Sequence, residues 1–590
     1  MSKIIYVCGR NPQILEGMEE KVQVIANRIT PDNVQKSSPR YVESDGIAYG
    51  IINKVSSVKE SGNSVLLGMT YPDDDQWSLP LSTTPDGSYA IFRADENQVE
   101  ILTDVVASRT VWYYHDDEIF ITATSQRAII MLLGNHHFNQ QIVPWLLSTG
   151  NTGPANSWDS RIKMIPADSS VVLDRQTWEL TVKSALVEFN PLQATDQEHT
   201  KLFENAVQET FEALNLDYTK WNLPLSGGYD SRLILCMLDS YKQSKGKLHS
   251  ITWGLKKSVN RKGNDAQIAK ELANRYKITN TYHHTDMSEE PIEQVFQRFF
   301  VNGEGRVDHI SAYLDGFSLW KELAESHVEG LIRGDVNFTS KTADDPFYVR
   351  FTQGFPLCTD FENLQDYESY GIPKQEIPER MLQLSGESLD QWRDRMYEEF
   401  RIPTVLSGLT DLKLSYVEII NPLLSRKIVY QARRLPLHFR NQKFILKKLV
   451  SKLCPDIKMA SDGATAKVKS TLRSPEVIEL FRKEFLQPQS VIPQKFCSYI
   501  LENIKSDNNL QAGKSSFKGF LKRYLPASLK NKLKALDKHN NIDFNTVAFR
   551  IYTIIKMNQL MNEDASALSF ITPEKANKNF TSPGSYQKLS

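Results

Sequence analysis

The sequence predicts an α/β domain with a largely parallel sheet, preceded by a β-rich domain and followed by a helical C-terminal region. Three observations carry this. Residues 1–185 are a succession of short strands separated by turn signals, the pattern changes near residue 196 to helices alternating with short apolar runs, and beyond about residue 470 the chain turns helical and polar.

In residues 1–185 the strand-like segments are "KIIYVCGR", "DGIAYGIIN", "SVLLGMTY", "DGSYAIFRAD", "VWYYHDDEIFITAT" and "SSVVLDRQTWELTV". Their β-branched and aromatic content between Gly, Asp and Asn turns is that of a mostly β domain. The second domain, 186–470, opens on Leu202, Phe203, Ala206, Val207, Thr210, Phe211 and Leu214, a helical spacing. Candidate strands follow at "WNLPL" (221–225), "LHSITWG" (248–254), "NTYHH" (280–284) and "EGLIRG" (329–334), with "DAQIAKELANRY" as an intervening helix. Such alternation predicts parallel pairing through crossover helices. The third region, 471–590, is rich in Pro, Asn and Ser loops; its tail "EKANKNFTSPGSYQKLS" reads as mobile. Within it, "SSFKGFLKRYLPASLKNKLKALDKH" (515–539) has basic and apolar residues at near-helical spacing, broken by Pro526. A solvated helix pair fits it better than a membrane-surface or acidic-partner segment.

Composition narrows the function. The chain has 590 residues, 40% of them hydrophobic, enough for two to four domains. Its 70 Lys+Arg nearly cancel its 71 Asp+Glu, so no global field favours nucleic acid. No apolar run approaches the ~18 residues of a membrane span, and the amino terminus lacks a signal-peptide pattern, so a cytoplasmic location is expected. Cys8, Cys236, Cys358, Cys454 and Cys497 form no Cys-x-x-Cys pair, which argues against a disulfide framework or a zinc site. The aromatic runs Trp112-Tyr113-Tyr114 and Phe299-Phe300 are expected in the core.

The sharpest local signal is "LPLSGGYDSRLILCML", a short strand, then Ser226-Gly227-Gly228-Tyr229-Asp230-Ser231, then an apolar helix. Gly227 and Gly228 permit positive φ angles and close backbone approach to a polyphosphate, and a helix starting at Ser231 adds its partial positive charge. Asp230 supplies a hard oxygen suited to Mg²⁺. No Gly-x-x-x-x-Gly-Lys-[Ser/Thr] loop occurs anywhere.

"SGGYDS" resembles the SGGxDS loop of the PP-loop ATP pyrophosphatases, specifically the asparagine synthetases. Further segments agree in order: "SITWG" with "NDAQIAKELANRY", where Ala266 replaces the usual Glu; "GLIRGDVNF"; and "LKLSYVEIINPLLSRKIVYQARRLPLHFRNQKFILKKLV", similar to the family's "VEVRVPFLD…LP…KYILR". "DGSYAIFRAD…ITATSQRAI" resembles the second half of the family's Ntn-type glutaminase domain, so the likeness spans about residues 85–455. It implies a PP-loop (HUP-like) synthetase domain behind an α+β Ntn-hydrolase-like one. It also implies that ATP contacts Leu225, Ser226, Gly227, Gly228, Asp230, Ser231, Thr252 and Gly334, with Mg²⁺ on Asp230 and Asp335. Lys443 matches the family's catalytic lysine, which stabilises the transferring phosphate oxygens. Glu418, at the "VEVR" glutamate, would orient an amine or take its proton, and Asp335 would bind metal or help deprotonate the nucleophile.

Several positions depart from the family. Asn337 and Phe338 stand where a second acidic residue is usual, so one metal ligand is missing or comes from elsewhere, with Asp344 and Asp345 as the candidates, and Ser425 replaces the Asp of "PFLD". The loop "NGEGRVDHISAY" places Glu304, Arg306, Asp308 and His309 where such enzymes build an acceptor pocket. Glutamine hydrolysis in the family uses an amino-terminal Cys; this sequence begins Met1-Ser2, has its first cysteine at Cys8, and lacks an Arg-Gly-Pro-Asp-type glutamine-binding segment. The N-terminal domain is therefore expected to be a degenerate glutaminase-like scaffold.

The implied activity is ATP-dependent amide formation. A small-molecule or peptide carboxylate is adenylated, releasing pyrophosphate, and ammonia or an amine then displaces AMP. Intramolecular closure of the β-lactam synthetase or lasso-peptide cyclase type, and a nucleotide-binding scaffold that docks biosynthetic partner proteins, are the competing assignments. tRNA thiolation or NAD synthesis draws less support, since neither cysteine pairs nor a basic face is present.

Overall fold

The structure is a computed structural model that describes residues 2–241, 246–326, 328–339, 342–465, 471–506 and 540–570. The basic segment 515–539 and the tail 574–590 lie outside the described residues. The first part of the chain forms strands β1 (Lys3–Gly9), β2 (Arg40–Ser44), β3 (Ile47–Ile52), β4 (Lys59–Ser61), β5 (Ser64–Thr70), β6 (Gly87–Ala94), β7 (Gln98–Thr103), β8 (Trp112–His115), β9 (Ile119–Ala123), β10 (Lys163–Met164), β11 (Ser169–Asp174) and β12 (Leu180–Ser184). They make two six-stranded antiparallel sheets, ordered β10-β8-β9-β1-β3-β2 and β12-β11-β7-β6-β5-β4.

Period-two alternation sorts the side chains between layers. Ile4, Tyr6 and Cys8 of β1 face the second sheet, where Val65, Leu67, Phe92, Ile101 and Val171 meet them. Ile5 and Val7 point the other way, into a layer of helices that contributes Val22, Ile25, Ile129 and Leu146. With both faces covered, every residue of β1 is buried, including Cys8. Trp112, Tyr113, Phe299 and Phe300 are core residues too.

Helix Phe544–Ala565 completes that layer. It differs from the polar character expected of residues 471–590: Val547, Phe549, Ile551, Tyr552, Ile554, Met557 and Met561 cover its whole circumference. Such a helix is stable only when surrounded. Here it is wedged between helices Gln126–Leu133, Ile142–Thr149 and Ile292–Gly303, and pinned where Asp564 meets Arg127 and Arg28, and Arg550 meets Asp308.

The middle of the chain builds a mixed α/β unit around a parallel sheet: β13 (Trp221–Pro224), β14 (His249–Gly254), β15 (Thr279–His284), β16 (Gly330–Ile332) and β17 (Glu418–Ile420), ordered β15-β14-β13-β16-β17. Every pairing is parallel. The chain passes from β13 to one side (β14, β15) and then returns to the other (β16, β17), so strand order reverses at β13. A crevice opens beyond the carboxyl ends of the strands at such a switch point. Gly330 lets β16 approach β13, because a Cβ there would stand 2.3 Å from the Trp221 ring.

The two β sheets and the parallel sheet are joined through buried polar contacts. Asp86 accepts hydrogen bonds from the Arg426 and Lys427 amides and so caps helix Arg426–Arg433. Ser88 accepts from the Asn421 amide at 3.0 Å, and Arg109 pairs with Glu418.

Candidate functional site

The loop after β13 lies at the switch point and opens on a cavity of about 340 Å³. On the β13–β14 side the lining includes Leu225, Ser226, Asp230, Ser231, Thr252 and Asp265; on the β16–β17 side it includes Leu331, Arg333, Gly334, Asp335, Lys413 and Ile419. Of the residues expected to touch nucleotide or metal, Leu225, Ser226, Asp230, Ser231, Thr252, Gly334 and Asp335 border it directly.

The loop differs in detail from the sequence expectation. Neither Gly227 nor Gly228 has a positive φ. Gly227 is needed for proximity instead, since a Cβ there would sit 2.3 Å from the Ala460 methyl. The following helix begins at Tyr229 rather than Ser231. Gly228, its N-cap, offers no side chain to the first turn, so that turn faces the cavity as an uncapped, partly positive helix end. Three loop amides are braced from within: Ser226 by the Ser231 hydroxyl at 3.1 Å, Gly227 by Asp265 at 3.0 Å and Gly228 by the Ser226 hydroxyl at 3.2 Å. Arg232, fully buried, donates to the carbonyls of Ile457 and Lys458 and clamps segment 457–460 against the loop.

Lys443 reaches the loop from the far side. Its ammonium lies 2.6 Å from Asp230 Oδ2. Gln442 and Lys443 both hold left-handed backbone, with φ of 54° and 58°, a conformation that costs a non-glycine residue about 1–2 kcal/mol. Packing of helix Phe444–Leu453 against helix Tyr229–Ser240 sustains it. The strained backbone sets the Lys443 ammonium on Asp230, which borders the cavity, while Lys443 itself is not in the lining.

The carboxylates fit a divalent cation. Burial pushes the Asp230 carboxyl above its ordinary range, Lys443 opposes that, and the Asp335 charge adds to it. Asp230 Oδ1 is buried without a hydrogen-bond partner, which leaves a hard, anionic oxygen for a metal. Asp335 keeps its Oδ2 3.0 Å from Arg333 Nε. Among the described residues no three His, Cys, Asp or Glu side chains converge on one point. Two carboxylates completed by substrate phosphates are how Mg²⁺ is usually held.

Other expected residues lie elsewhere. Glu418 is fully buried and does not line the cavity; burial would raise its carboxyl, but Arg109 foremost holds it below the ordinary value. Glu304, Arg306 and Asp308 also stay outside the lining: Glu304 accepts from Ser125 and Gln126, Arg306 pairs with Asp411, and Asp308 with Arg550. Glu304, Arg306 and Asp308 brace neighbouring elements, His309 is exposed, and none of the four borders the cavity. Asp345 caps helix Pro346–Gln353 by accepting the Tyr348 amide. Phe338 turns into the core against Phe203, and Asn337 bonds Glu398. Ser425 is the N-cap of helix Arg426–Arg433.

Sequence reading missed Asp265, Trp253, Trp320, Arg333 and Lys413 as lining residues. Asp265 had a signal, because it follows the helix-capping Asn264 in the segment set beside the family's second nucleotide strand. Lys413 had none, since an interior lysine is indistinguishable from a solvated one until its helix is placed.

An uncapped helix end, a lysine–aspartate pair and a second carboxylate gather around the switch-point crevice of the α/β unit. Residues 203–329 match the family model of asparagine synthase, which supports an asparagine synthetase-family assignment for that segment and implies ATP use. The matched segment holds the phosphate loop, Asp265 and Trp320; Asp335, Lys413, Glu418 and Lys443 lie beyond it. No curated protein matches the chain. Solved structures similar to it include the U34-tRNA thiolase NcsA from Methanococcus maripaludis, at 14% identity over 53% of this chain and 82% of that one, TM-score 0.23. Another is glutamine phosphoribosylpyrophosphate amidotransferase from B. subtilis, at 7% identity over 48% of this chain and 91% of that one, TM-score 0.20. TM-scores this low carry no inference about fold or activity.

Proposed function

We propose that the protein is an ATP-dependent amide ligase that adenylates a small-molecule or peptide carboxylate and passes the acyl group to ammonia or an amine. The observation that carries this is the Asp230–Lys443 pair at the uncapped end of helix Tyr229–Ser240, with Asp335 across the same crevice.

ATP enters as a substrate. Its phosphates would lie along the first turn of that helix and the hydroxyls of Ser226 and Ser231, with the base toward Leu225 and Thr252. Mg²⁺, held by Asp230 and Asp335, would neutralise phosphate charge. A carboxylate oxygen attacks the α-phosphorus as the bond to the bridging oxygen of pyrophosphate breaks; the amine nitrogen then attacks the acyl carbon, loses a proton, and AMP leaves. Lys443 is placed to stabilise charge on the phosphate oxygens as it develops, which a preorganised cation does without reorganisation.

Nitrogen would not come from glutamine through Cys8. That thiol is buried near the end of β1, which lies between β3 and β9, and burial pushes it up to about 11. Five buried free cysteines suit a reducing compartment, and the cytoplasm is part of the proposal. Among the described residues no helix is long and apolar enough to cross a membrane. Carboxylate-dependent exchange of labelled pyrophosphate into ATP, screened over a panel of acids, tests the ligase assignment. Exchange with at least one acid is the expected result; nucleotide binding with no exchange across the panel would make the chain a scaffold.

A further inference from the structure

Lys413 is the most unusual group at the cavity. It lies on helix Ser407–Leu414 and is 9% exposed, and its side chain borders the cavity beside Arg333, Asp335 and Ile419. Its ammonium donates to the Leu409 carbonyl at 2.7 Å, one turn back on its own helix, and stands 5.6 Å over the Trp320 ring. Lys443 is bonded to Asp230 and Arg333 to Asp335, but Lys413 has no ion-pair partner among the described residues. Asp411 of its own helix is drawn away to Arg306.

A desolvated ammonium without a counter-ion opposes folding, and a methionine of similar length would fill the space without that cost. Burial drives the Lys413 amine well below its ordinary range, nearby Arg333 adds to this, and Asp335 and Asp411 only partly oppose it. An anion arriving at hydrogen-bond distance would reverse the balance by favouring the charged form. Beside Arg333 and Asp335, the same lining carries an apolar portion: Trp320 and Trp253, with rings 5.8 Å apart at 67°, and Leu331 and Ile419 from β16 and β17.

We propose that Lys413 is the anchor of the acceptor subsite: on the β16–β17 side of the cavity its ammonium grips the carboxylate of an acid whose body is aromatic or aliphatic and lies against Trp253, Trp320, Leu331 and Ile419. This rests on the ligase assignment for its role in turnover, but the binding claim stands apart from it. No bond is made or broken by Lys413; it is a specificity-determining residue that presents the carboxylate to the nucleotide side.

The test is calorimetric titration of the full chain, with a non-hydrolysable ATP analogue and Mg²⁺ present. The probes are benzoate, phenylacetate, indole-3-acetate and hexanoate, with phenylacetamide as the neutral control. The wild type is expected to bind at least one acid and to prefer phenylacetate to phenylacetamide by tenfold or more. K413M is expected to weaken the acid tenfold or more, with nucleotide affinity changed less than threefold; K413Q is the second variant should K413M fail to fold. Equal acid affinity in wild type and variant, no preference for acid over amide, or no binding of any probe would each overturn the subsite. Lys413-dependent binding without pyrophosphate exchange would leave the subsite standing and remove the ligase assignment. Normal exchange by K413M, with an unchanged KM for the acid, would do the reverse.

Discussion

Replacing Lys443 by methionine removes a cation whose nitrogen lies 2.6 Å from Asp230 Oδ2 and leaves the carboxylate without its partner. Both side chains are mostly sheltered, at 18% and 28% exposure, so the hydrogen bond is charge-assisted and poorly screened. Its loss is expected to cost about 1.5–3 kcal/mol of local interaction at most. Part of that returns, because Asp230 can take up a proton more readily once Lys443 is gone. The kinetic loss is larger. A preorganised group aimed at developing charge is worth about 2.7–4 kcal/mol, a factor of ~10²–10³ in rate. Pyrophosphate exchange by K443M is therefore expected to fall at least a hundredfold in kcat, with the KM for the acid little changed. K443R is expected to recover only part of it, since a planar guanidinium does not place one donor where the ammonium was. The check is exchange kinetics beside thermal unfolding of both variants. A K443M protein that folds normally and exchanges within threefold of wild type would refute the assignment of Lys443 to the reaction.

Asp230→Asn is expected to abolish Mg²⁺-dependent turnover while leaving the chain folded. Burial raises the Asp230 carboxyl above its ordinary 3.8, so the folded chain holds that proton more tightly than the unfolded one, and stability falls as pH rises through the window between the two values. Above that window the ionised carboxylate is a net cost, so D230N should match or exceed wild-type Tm at pH 7 and lose the advantage at low pH; a lower Tm at pH 7 would show that the carboxylate stabilises the fold. K413M, for the analogous reason, is expected to unfold at the same temperature as wild type or higher. Arg109→Met should destabilise by about 3–5 kcal/mol by leaving Glu418 buried and unpaired, measured by urea unfolding; a loss under about 1 kcal/mol would mean the pair is solvated. The purified chain should release no glutamate from glutamine, and Cys8→Ala should be neutral for amide formation; glutaminase activity abolished by that change would return the N-terminal domain to catalysis.

The order of elements was legible because the sequence states it locally. The β-branched apolar run in "KIIYVCG", the Gly-Gly turn after "WNLPL" and the capped helix "DAQIAKELANR" each announce their element within a few residues. The resemblance to the asparagine synthetases was legible for the same reason, through "SGGYDS" and the segments that follow it. What escaped was set by packing between distant segments. The need for Gly227 comes from Ala460, far along the chain, and not from its own φ. Helix Phe544–Ala565 looks like part of a polar tail until the helices that surround it are placed. Glu418 sits in a strand where a carboxylate near the cavity was expected, but Arg109 of the preceding domain takes it. Lys413 becomes exceptional only once Asp411 is seen to turn to Arg306.

The most direct measurement is the fate of label from the acid itself. Incubating the protein with ATP, Mg²⁺, an amine and the ¹⁸O-carboxylate of an acid that supports exchange is expected to place one ¹⁸O in the AMP formed, because the carboxylate oxygen that attacks the α-phosphorus leaves with it. Label in inorganic phosphate with ADP as the nucleotide product, or AMP free of label, would contradict adenylation of the carboxylate.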